Sequence, residues 1–380
     1  MRVVHVVSAV GTYGGERFVP ALVAAQRRAG IDAMVATLYD SPAASVSDLP
    51  TYSAGRGYAG RAKGGGFLFF FRLVGFLRKS HPDVVHTHLA HAKLWGRLAA
   101  LAAGAGCIVH TEHANAFHDS LPKRFLARVL HRRTAVIVAL SEAQRERILR
   151  HEGPEPERVV VVPNGIEIAP SSPMTPRDRA RRRAVLGVPK GASMILAVGR
   201  LDAVKGYDLA LEALALLPQQ THLVVVGDGA LRDALLARGE ALGVSARLHL
   251  LGYRDDVTDL LAASDLLLNT SRSEAMPLSI LEALCAGVPV VATPWPGARE
   301  LLGDERVTET WSAQAVAACV RRVLLEPRSA TEASLEACRA GFSIDLTAQR
   351  YAALYAAALA GTGAPRATGR KSLVAPGGSG

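Results

Sequence analysis

The sequence predicts an α/β protein made of two doubly wound parallel-sheet domains. Short β-branched runs alternate with helical stretches in the first half of the chain, and an alternation of strands and helices restarts in the second half, which is typical of a parallel sheet with helices on both faces. The alternation is interrupted once, between Ile166 and Arg183, by a stretch rich in proline, serine and arginine. With 380 residues, of which 49% are hydrophobic, the chain is long enough for two cores of ordinary size.

The first domain is predicted over residues 1–165, and residues 166–183 are predicted to be a linker. Helices are expected between the strands of this domain, at 17–29, 93–103 and 142–151. The strands are expected at 3–7, 33–37, 83–86, 107–110, 135–139 and 159–162.

The second domain is predicted over residues 184–343, where the alternation restarts. A helical stretch at residues 344–361 follows after this domain is complete, so this helix can pack elsewhere, including back on the first domain. The tail at 362–380 has glycines, prolines and no apolar period, and it is expected to be disordered. The strands of the second domain are expected at 194–198, 222–226, 247–250, 265–269 and 288–292.

The composition limits the possible partners and the compartment. A formal net charge of +10 indicates an anionic partner, which can be nucleotide phosphate, membrane lipid or nucleic acid. Nucleic acid is disfavoured because the basic residues are scattered and form no recognised binding motif. The four cysteines are far apart without a CxxC pair, and the N-terminus lacks a signal-peptide pattern, so we predict a cytoplasmic protein.

The segment at residues 61–79 narrows the choice of anionic partner. It is basic at both ends and strongly apolar between them, and Arg72 interrupts an apolar run that is too short to span a bilayer. A helix of this composition can lie at an anionic membrane surface, which here would be the inner face of the plasma membrane. The alternative is a core helix with a polar edge, which is the commoner arrangement for a mostly apolar helix.

The most informative motif places Glu274 and Glu282 around the start of a helix. Pro277 is predicted as the first helical residue, where its missing N–H costs nothing. The free N–H groups of Leu278 and Ser279 can then bind a phosphate. The two carboxylates can accept hydrogen bonds from hydroxyls on either side of it, such as those of a sugar and a ribose. The alternative is that Glu274 caps the helix and Glu282 is a solvated surface charge.

Two further loops follow strands at the expected ligand-binding edge of a doubly wound sheet. After the first strand, Gly14 and Gly15 open into a helix and allow a phosphate or sugar to approach closely, without matching the dinucleotide or Walker A pattern. After the first strand of the second domain, Arg200 and Lys205 can hold a diphosphate and stabilise it as a leaving group. A tight turn and a solvated loop are the respective alternatives.

Histidines follow two strands of the first domain, where they can orient or polarise a sugar hydroxyl. His110 and His113 belong to one group, and His86, His88 and His91 form another. No carboxylate or cysteine pattern completes a recognised metal site, and the sequence lacks an Asp-x-Asp motif for a metal-bound nucleotide. We therefore predict neither a metal nor a cofactor.

Taken together, these motifs resemble the retaining, nucleotide-sugar-dependent glycosyltransferases of family 4, which have the GT-B fold. The resemblance extends over residues 2–359, and its motifs occur in order along the chain. They are the Gly14–Glu16 loop, Pro82–His88, Thr111–His113, Ser141–Glu142, Pro163–Ile166, Val198–Leu201 with Lys205–Gly206, Gly227–Gly229, Ser264–Asp265, the Glu274/Glu282 pair and Ala286–Thr293.

The resemblance implies a role for each matching residue. Arg200 and Lys205 would bind the donor diphosphate, Glu274 would contact the sugar hydroxyls, and Glu282 the ribose. His113 matches the histidine beside the transferred sugar. Retention would come from front-face attack in which the leaving phosphate helps to deprotonate the acceptor, without metal. The expected donor-lining residues are Gly14, Gly15, Met276, Pro277, Leu278 and Ser279, with Gly252 and Tyr253 near the base.

The sequence departs from the family pattern at two places. Ala275 stands where many members have glycine, which tightens the loop at the sugar. The segment at residues 295–298 replaces a commoner glycine pair, which puts that edge of the donor pocket in doubt. Neither change removes a group that the chemistry needs.

The sequence therefore predicts a retaining hexosyltransferase-class enzyme. It would move a sugar from a nucleoside-diphosphate donor to a hydroxyl of a glycan or lipid-linked acceptor, in cell-envelope or exopolysaccharide biosynthesis. Three other functions remain open: a nucleotide-sugar-binding protein without transferase activity, an epimerase or phosphorylase on the same two-domain plan, and a nucleic-acid-binding protein. A phosphorylase would normally need a pyridoxal lysine, and no sequence context identifies one.

Overall fold

The computed structural model describes residues 1–11, 14–39, 49–55, 68–114, 121–168, 174–326 and 332–361. They form two compact units, the first from Met1–Glu167 with the described part of Phe342–Gly369, the second from Ile168–Gly341. Each unit contains one parallel sheet, as the fold class predicted. The predicted disordered tail and the first part of the predicted membrane segment, residues 61–67, lie outside the described residues.

The sheet of the first unit has seven parallel strands in the order β3-β2-β1-β4-β5-β6-β7. All the predicted strands form. One more, Thr51–Ser53, adds an edge strand that the sequence analysis missed, because three residues are too few to show an alternating pattern. The strands are β1 (Arg2–Val7), β2 (Asp32–Thr37), β3 (Thr51–Ser53), β4 (Val84–His88), β5 (Ile108–Thr111), β6 (Val136–Ala139) and β7 (Val159–Val161).

Helices of the first unit begin and end at recognisable signals. Ser141 caps α6 by accepting a hydrogen bond from the Gln144 backbone N–H at 3.1 Å, and the helix ends at Gly153 with φ of +63°. A π-helical turn at Ala92–Gly96 separates two of the helices. The helices up to this point in the chain are α1 (Gly14–Arg28), α2 (Leu68–Ser80), α3 (Leu89–His91), α4 (Arg97–Ala103), α5 (Leu121–Arg132) and α6 (Glu142–Glu152).

The second unit has a five-stranded parallel sheet in the order β10-β9-β8-β11-β12, and all five predicted strands form. The strands are β8 (Ser193–Val198), β9 (Thr221–Val226), β10 (Leu248–Leu250), β11 (Leu266–Asn269) and β12 (Val290–Ala292). The helices are α7 (Pro176–Val185), α8 (Tyr207–Ala215), α9 (Arg232–Ala241), α10 (Val257–Ala263), α11 (Leu278–Cys285), α12 (Ala298–Leu302), α13 (Ala313–Leu325) and α14 (Glu332–Phe342).

Helix α7 occupies the second half of the segment that was predicted to be a linker. It buries no residue of its own, so its sequence lacks the apolar period by which a helix is recognised. Ion pairs hold it instead: Arg179 contacts Asp265 at 2.7 Å, and Arg182 contacts Asp256 at 2.6 Å. The helix belongs to the second unit.

The last helix, α15 (Ile344–Leu359), returns to the first unit, as the fold class predicted. It packs along α1 and buries Tyr351 and Tyr355 completely. The Tyr351 hydroxyl lies 2.9 Å from Thr111 Oγ1, and the Tyr355 hydroxyl lies 2.6 Å from His86 Nδ1. None of the described helices is long and apolar enough to cross a membrane.

Candidate active site

In the second unit, the turn after β8 positions Lys205. Gly206 follows with φ of +62°, and a Cβ atom there would lie 2.3 Å from the Thr270 carbonyl oxygen. Only glycine fits such a close approach in the left-handed region. The Thr270 hydroxyl donates to the Lys205 carbonyl at 3.0 Å, which ties this turn to the end of β11. Two neighbouring strand ends are thereby held in contact.

Lys205 and Glu274 form an ion pair, with Nζ 2.6 Å from Oε1. Ser271 Oγ donates to the same carboxylate oxygen at 2.6 Å. The two charged side chains are largely shielded from solvent, at 23% and 12% exposure. The sequence analysis assigned Lys205 and Glu274 to different parts of the donor, whereas the structure joins them directly. It missed Ser271, although this residue lies three positions before Glu274.

Arg200 extends from the same turn and is mainly exposed, with 61% of its side chain accessible. Its Nε atom donates to Asp202 Oδ2 at 2.7 Å. The other oxygen of Asp202 accepts a hydrogen bond from the Lys205 backbone N–H at 3.3 Å. Asp202, which the sequence analysis did not single out, therefore orders the turn that carries both cations.

Helix α11 begins one residue later than predicted. Pro277 has an extended backbone, with φ of −72° and ψ of 126°, and is the N-cap residue, not the first helical residue. Its carbonyl accepts from the Ile280 N–H at 3.2 Å. Leu278 and Ser279 are consequently the first helical residues, and their N–H groups have no carbonyl partner within the helix. Such a helix start is a suitable place for an anion.

The remaining donor-site candidates of the second unit are also placed. Met276 and Pro277 are buried beside the helix start, and Glu282 is half-buried on α11. Gly252 follows β10 with φ of +72°, and its carbonyl accepts from the Gly227 N–H at 2.8 Å. Tyr253 is 52% exposed next to it.

Trp295, one of the departures from the family pattern, is buried to 2% exposure. Its indole Nε1 donates to Asn269 Oδ1 at 3.1 Å, at the end of β11. This side chain therefore supports the strand that leads into the Glu274 loop.

In the first unit, Gly15 and His113 lie against each other. A Cβ atom on Gly15 would come within 3.3 Å of His113 Cγ and within 2.7 Å of Leu89 Cδ2. The missing side chain lets the start of α1 pack directly on the imidazole. The Phe18 ring covers the histidine from another side, with the ring centroids 5.5 Å apart. Gly14, immediately before, has φ of +47°.

Sequence models of two known families match the two halves of this chain. Glycosyltransferase Family 4 matches residues 12–169, and Glycosyl transferases group 1 matches residues 178–338. The chain belongs to the family 4 glycosyltransferases. The predicted family is thereby confirmed.

Two curated relatives of this glycosyltransferase come from Escherichia coli. UDP-Gal:alpha-D-GlcNAc-diphosphoundecaprenol alpha-1,3-galactosyltransferase is 30% identical over 246 residues, which are 61% of this chain and 63% of the relative. Lipopolysaccharide glucosyltransferase WaaG of strain K12 is 33% identical over 199 residues, 50% of this chain and 53% of the relative. The matches thus span less than two thirds of either relative.

A solved structure extends the similarity to nearly the whole chain. HepE (Alr3699) of Anabaena, in complex with UDP, matches this glycosyltransferase with a TM-score of 0.77 and 23% identity. The match covers 93% of this chain and 98% of that chain. At this identity the likeness is evidence for the fold, and it confirms the predicted GT-B class.

The histidine cluster of this glycosyltransferase differs from the predicted one. His86 and His88 lie within β4, and the third member is His5 of β1, with ligand atoms within 4.8 Å of one another. His91 is exposed and packs edge-on against Tyr39 instead. The prediction was wrong because β1 and β4 are neighbours through a crossover that the sequence does not reveal.

Hydrogen bonds engage every ring nitrogen of His5, His86 and His88. The partners are Gln26 and His88 for His5, Tyr355 and Thr111 for His86, and His5 and His113 for His88. Burial lowers the pKa of His5 to about 4, and it lowers those of His86 and His88 well below the ordinary value. These contacts favour a network of neutral rings over a set of metal ligands.

His110 is more deeply buried than His113, although only two residues lie between them in the sequence. Its Nδ1 atom is 3.0 Å from the Thr87 carbonyl oxygen, and its ring is fully buried. Burial lowers its pKa to about 4. His113, by contrast, lies against Gly15 of the glycine loop.

A buried ion cluster that the sequence analysis missed supports the loop of His113. Lys93 bonds to Glu112 and also to Glu152, and the Glu152 carboxylate lies 2.8 Å from His131 Nε2. Burial alone would raise the pKa of Glu112, but the Lys93 ammonium and His110 hold it well below its usual range. Because Glu112 immediately precedes His113, this cluster fixes the end of β5. The sequence signal that could have revealed this cluster is Glu112, a charged residue directly after a buried strand.

Proposed function

We propose that this glycosyltransferase transfers a sugar, with retention of anomeric configuration, from a nucleoside-diphosphate donor to a hydroxyl acceptor. The acceptor is a glycan or lipid-linked sugar of the cell envelope. The observation that carries the proposal is the Lys205–Glu274 ion pair beside the start of α11, with Arg200 on the same turn. The geometry supports a site that receives a diphosphate and a polyol side by side.

The cations and the helix start suit the diphosphate. When the bond from the sugar to the diphosphate breaks, negative charge grows on the departing phosphate. Fixed positive charges and N–H groups stabilise such charge without reorganising during the reaction. Arg200 and Lys205 supply the charges, and the first N–H groups of α11 supply donors. These groups offer the stabilisation that a metal ion supplies in other transferases, so we propose metal-independent transfer.

The carboxylate of Glu274 suits the sugar. An ionised carboxylate has about four lone-pair directions on its two oxygens. Its bonds to Lys205 Nζ and Ser271 Oγ, both at Oε1, hold it in one orientation. The group is thereby ordered before a ligand arrives, and it can accept further hydrogen bonds from sugar hydroxyls. Preorganisation of this kind lowers the cost of binding.

The named relatives guide the choice of donor and acceptor. One has UDP-Gal and a diphosphoundecaprenol-linked sugar in its name, another acts on lipopolysaccharide, and HepE was solved with UDP. These substrates belong to those proteins. They make UDP-sugars the first donors to try and lipid-linked envelope glycans the first acceptors.

The donor test is a panel of UDP-, GDP-, ADP- and dTDP-sugars without added metal, followed by thermal shift and by release of free nucleotide. We expect one nucleotide class to stabilise the protein, by about 2.7 kcal/mol at a ligand concentration of 100 Kd. Slow nucleotide release indicates transfer to water. Stabilisation without release, also in the presence of envelope glycan acceptors, would instead support a nucleotide-sugar-binding protein. If no nucleotide-sugar causes stabilisation or nucleotide release, and free UDP and GDP also fail to stabilise the protein, the proposal is overturned.

Two variants test the site itself. Lys205→Met and Glu274→Gln are each expected to lower turnover by about 10²–10³, the usual effect of removing one transition-state donor or acceptor. The matched control is Lys190→Met, which removes an exposed lysine of the same unit. We expect the control to retain full turnover. If Lys205→Met also retains it, the assigned diphosphate site is wrong.

Retention can be measured on the product. NMR of the anomeric signals, recorded before the sugar equilibrates, should show the same configuration as in the donor. An inverted product would exclude front-face attack, even if the donor site is correct.

We also propose that helix α2 contacts an anionic membrane surface. One face, including Leu73, Val74 and Leu77, is buried in the core. The opposite face exposes Leu68 by 53% and Phe71 by 66%. The exposed cations Arg72, Arg78 and Lys79 lie on the same helix. An exposed apolar and basic face is suited to the boundary of an anionic bilayer.

Vesicle co-sedimentation tests this contact. The wild-type protein should bind vesicles with anionic lipid, bind phosphatidylcholine vesicles less, and lose affinity as salt is raised. Replacing Phe71 and Leu68 by serine should weaken binding. The control is Leu325→Ser, which removes an 86% exposed leucine of the second unit. Equal loss in the control would mean that binding is a general effect of surface hydrophobicity.

A further inference from the structure

A chain of hydrogen bonds connects Gln26 to His113 through two buried histidines of the first unit. Gln26 Oε1 is 2.7 Å from His5 Nε2, and His5 Nδ1 is 2.9 Å from His88 Nε2. His88 Nδ1 is in turn 3.0 Å from His113 Nε2. Gln26, His5 and His88 are completely buried, whereas His113 is half-buried beside Gly15. One end of the chain is thus enclosed in the core, and the other reaches the glycine loop.

The donor-to-acceptor direction of all these hydrogen bonds is set by the bond at one end of the series. A neutral imidazole has one N–H donor and one lone-pair acceptor, so a ring that donates at one nitrogen accepts at the other. The rings are neutral near pH 7, because burial lowers the pKa of His5 and of His113 to about 4 and that of His88 well below its ordinary value. Fixing the proton on His5 therefore fixes it on His88 and on His113.

The orientation of the Gln26 amide determines which ring nitrogen of His5 carries the proton. Its Nε2 atom lies 3.3 Å from the Tyr355 hydroxyl, and its Oε1 atom lies 2.7 Å from His5. The longer distance suits N–H···O better than O–H···O, and the shorter one suits N–H···O with a carbonyl acceptor. The Tyr355 hydroxyl can then donate to His86 Nδ1 at 2.6 Å. Hence Gln26 accepts from His5 Nε2–H.

It follows that His5, His88 and His113 all carry the proton on Nε2. We propose that Gln26, His5 and His88 are positioning residues that hold His113 in this tautomer, so that its Nδ1 lone pair accepts a hydrogen bond from a sugar hydroxyl. The contact between His113 and a sugar hydroxyl rests on the proposed function, whereas the tautomer of His113 does not. The Nδ1 edge lies 3.4 Å from where a Cβ atom of Gly15 would be, so the glycine leaves this edge uncovered.

An acceptor fixed in this way has a consequence for specificity. A hydroxyl can donate to Nδ1, whereas a fluorine, an ether oxygen or a phosphate oxygen would bring one lone pair against another. Sites built around a particular hydroxyl discriminate strongly against analogues that lack it, because a polar group is then left unpaired. Donor analogues with fluorine at the contacted position should therefore bind more weakly than the parent sugar.

Nitrogen NMR of the ligand-free protein tests the tautomer directly. Full-length protein is labelled with ¹⁵N-histidine, and the ring nitrogen shifts and two-bond couplings distinguish Nε2–H from Nδ1–H. His113→Gln identifies the signals of His113 by their loss. We expect the Nε2–H tautomer for His5, His88 and His113 at pH 7. An Nδ1–H tautomer, an equal mixture or an imidazolium at His113 would overturn the proposal.

Two variants at Gln26 test its part. Gln26→Met removes the acceptor at similar length and should allow both tautomers at His113. Gln26→Glu retains an acceptor and should preserve the Nε2–H form. If the two tautomers become equally populated in Gln26→Met, the apparent affinity for the sugar falls by about twofold. A Gln26→Met protein with unchanged His113 signals would refute the role of Gln26. If that variant does not fold, the wild-type spectrum still decides the direction.

Addition of a responding nucleotide-sugar completes the test and separates the two proposals. The Nδ1 resonance of His113 should move on binding of the sugar nucleotide and remain in place with UDP alone. A static Nδ1 signal with sugar nucleotide bound would overturn the hydroxyl contact. Binding of no nucleotide at all, with the Nε2–H tautomer present, would overturn the proposed function and leave the positioning role supported.

Discussion

The interiors of the two units differ in how completely they bury ionisable side chains. The sheet of the first unit contains His5, His86, His88 and His110, all fully buried, and Arg97 lies beside it with 1% exposure. Both units have a hydrophobic core cluster, but in the second unit the buried His222 and Arg247 each retain 6% exposure. Its site charges Arg200, Lys205 and Glu274 sit at strand ends and retain access to solvent.

This difference indicates two ways of preparing a site. In the first unit, the buried side chains of Gln26, His5 and His88 form hydrogen bonds that depend on one another's proton positions. These hydrogen bonds hold His113 from the core side. In the second, partly exposed charges such as Lys205 can exchange their protein partners for those of a ligand at lower cost, because no fully buried charge is left unpaired. The first unit should therefore respond to pH and to loss of one partner, and the second to loss of local backbone geometry.

The largest expected effect is acid unfolding of the first unit. The pKa values of His5 and His110 are lowered to about 4 by burial, from 6.5 in the unfolded chain. As pH falls below 6.5 the unfolded state binds protons first, so stability is complete above 6.5 and is lost towards pH 4. Each histidine should cost about 3 kcal/mol over this range, at about 1.4 kcal/mol per pH unit.

Hydrogen exchange with mass spectrometry can follow the two sheets separately. After incubation at a series of pH values, a labelling pulse under common conditions should show β1, β4 and β5 opening at a higher pH than β8 and β9. Simultaneous opening, or earlier opening of β8 and β9, would show that the buried histidines do not decide acid stability.

The next largest effect is expected for Lys93→Met. This change leaves Glu112 and Glu152 buried without their ammonium partner, since their side chains are each 5% exposed. Breaking a buried ion pair on one side typically costs about 3–5 kcal/mol. The free energy of unfolding of the first unit, from exchange in β5 and α6, measures it.

The control is Arg238→Met in the second unit. Arg238 pairs with Glu212 at 2.6 Å, but the two side chains are 46% and 38% exposed. A pair of this kind contributes about 0–1 kcal/mol. The triple variant Lys93→Met, Glu112→Gln, Glu152→Gln should regain part of the loss by removing the unpaired charges. Equal effects of Lys93→Met and Arg238→Met would remove the contrast between the two units.

The smallest effect is expected for Gly206→Ala in the second unit. Alanine in the left-handed region costs about 1–2 kcal/mol, and here its Cβ would also lie 2.3 Å from the Thr270 carbonyl oxygen. Gly243→Ala is a matched control, with φ of +69° and no atom within 4 Å of the Cβ position. Thermal unfolding should show a greater loss for Gly206→Ala. Donor binding should weaken in that variant alone, because Lys205 must move. Identical losses would mean that the contact with Thr270 yields without cost.

Local sequence patterns were sufficient for most of the fold. Short apolar runs predicted every described strand except Thr51–Ser53, and the strand-end rule located the loops of Arg200, Lys205 and Glu274. The patterns did not predict α7, because arginine pairs hold that helix without an apolar face. They also placed the start of α11 one residue early, since proline suits both the N-cap and the first helical position.

The sequence by itself determined which residues belong to strand ends and helix starts, because those depend on neighbours within a few positions. Only the tertiary structure decided which strands lie side by side. His5 and His88 are 83 residues apart and meet because β1 pairs with β4. Lys93 meets Glu152 from 59 residues away. Alternation along a strand indicates which residues face the core, but chain crossovers determine their partners, and in the first unit those partners set the tautomer of His113.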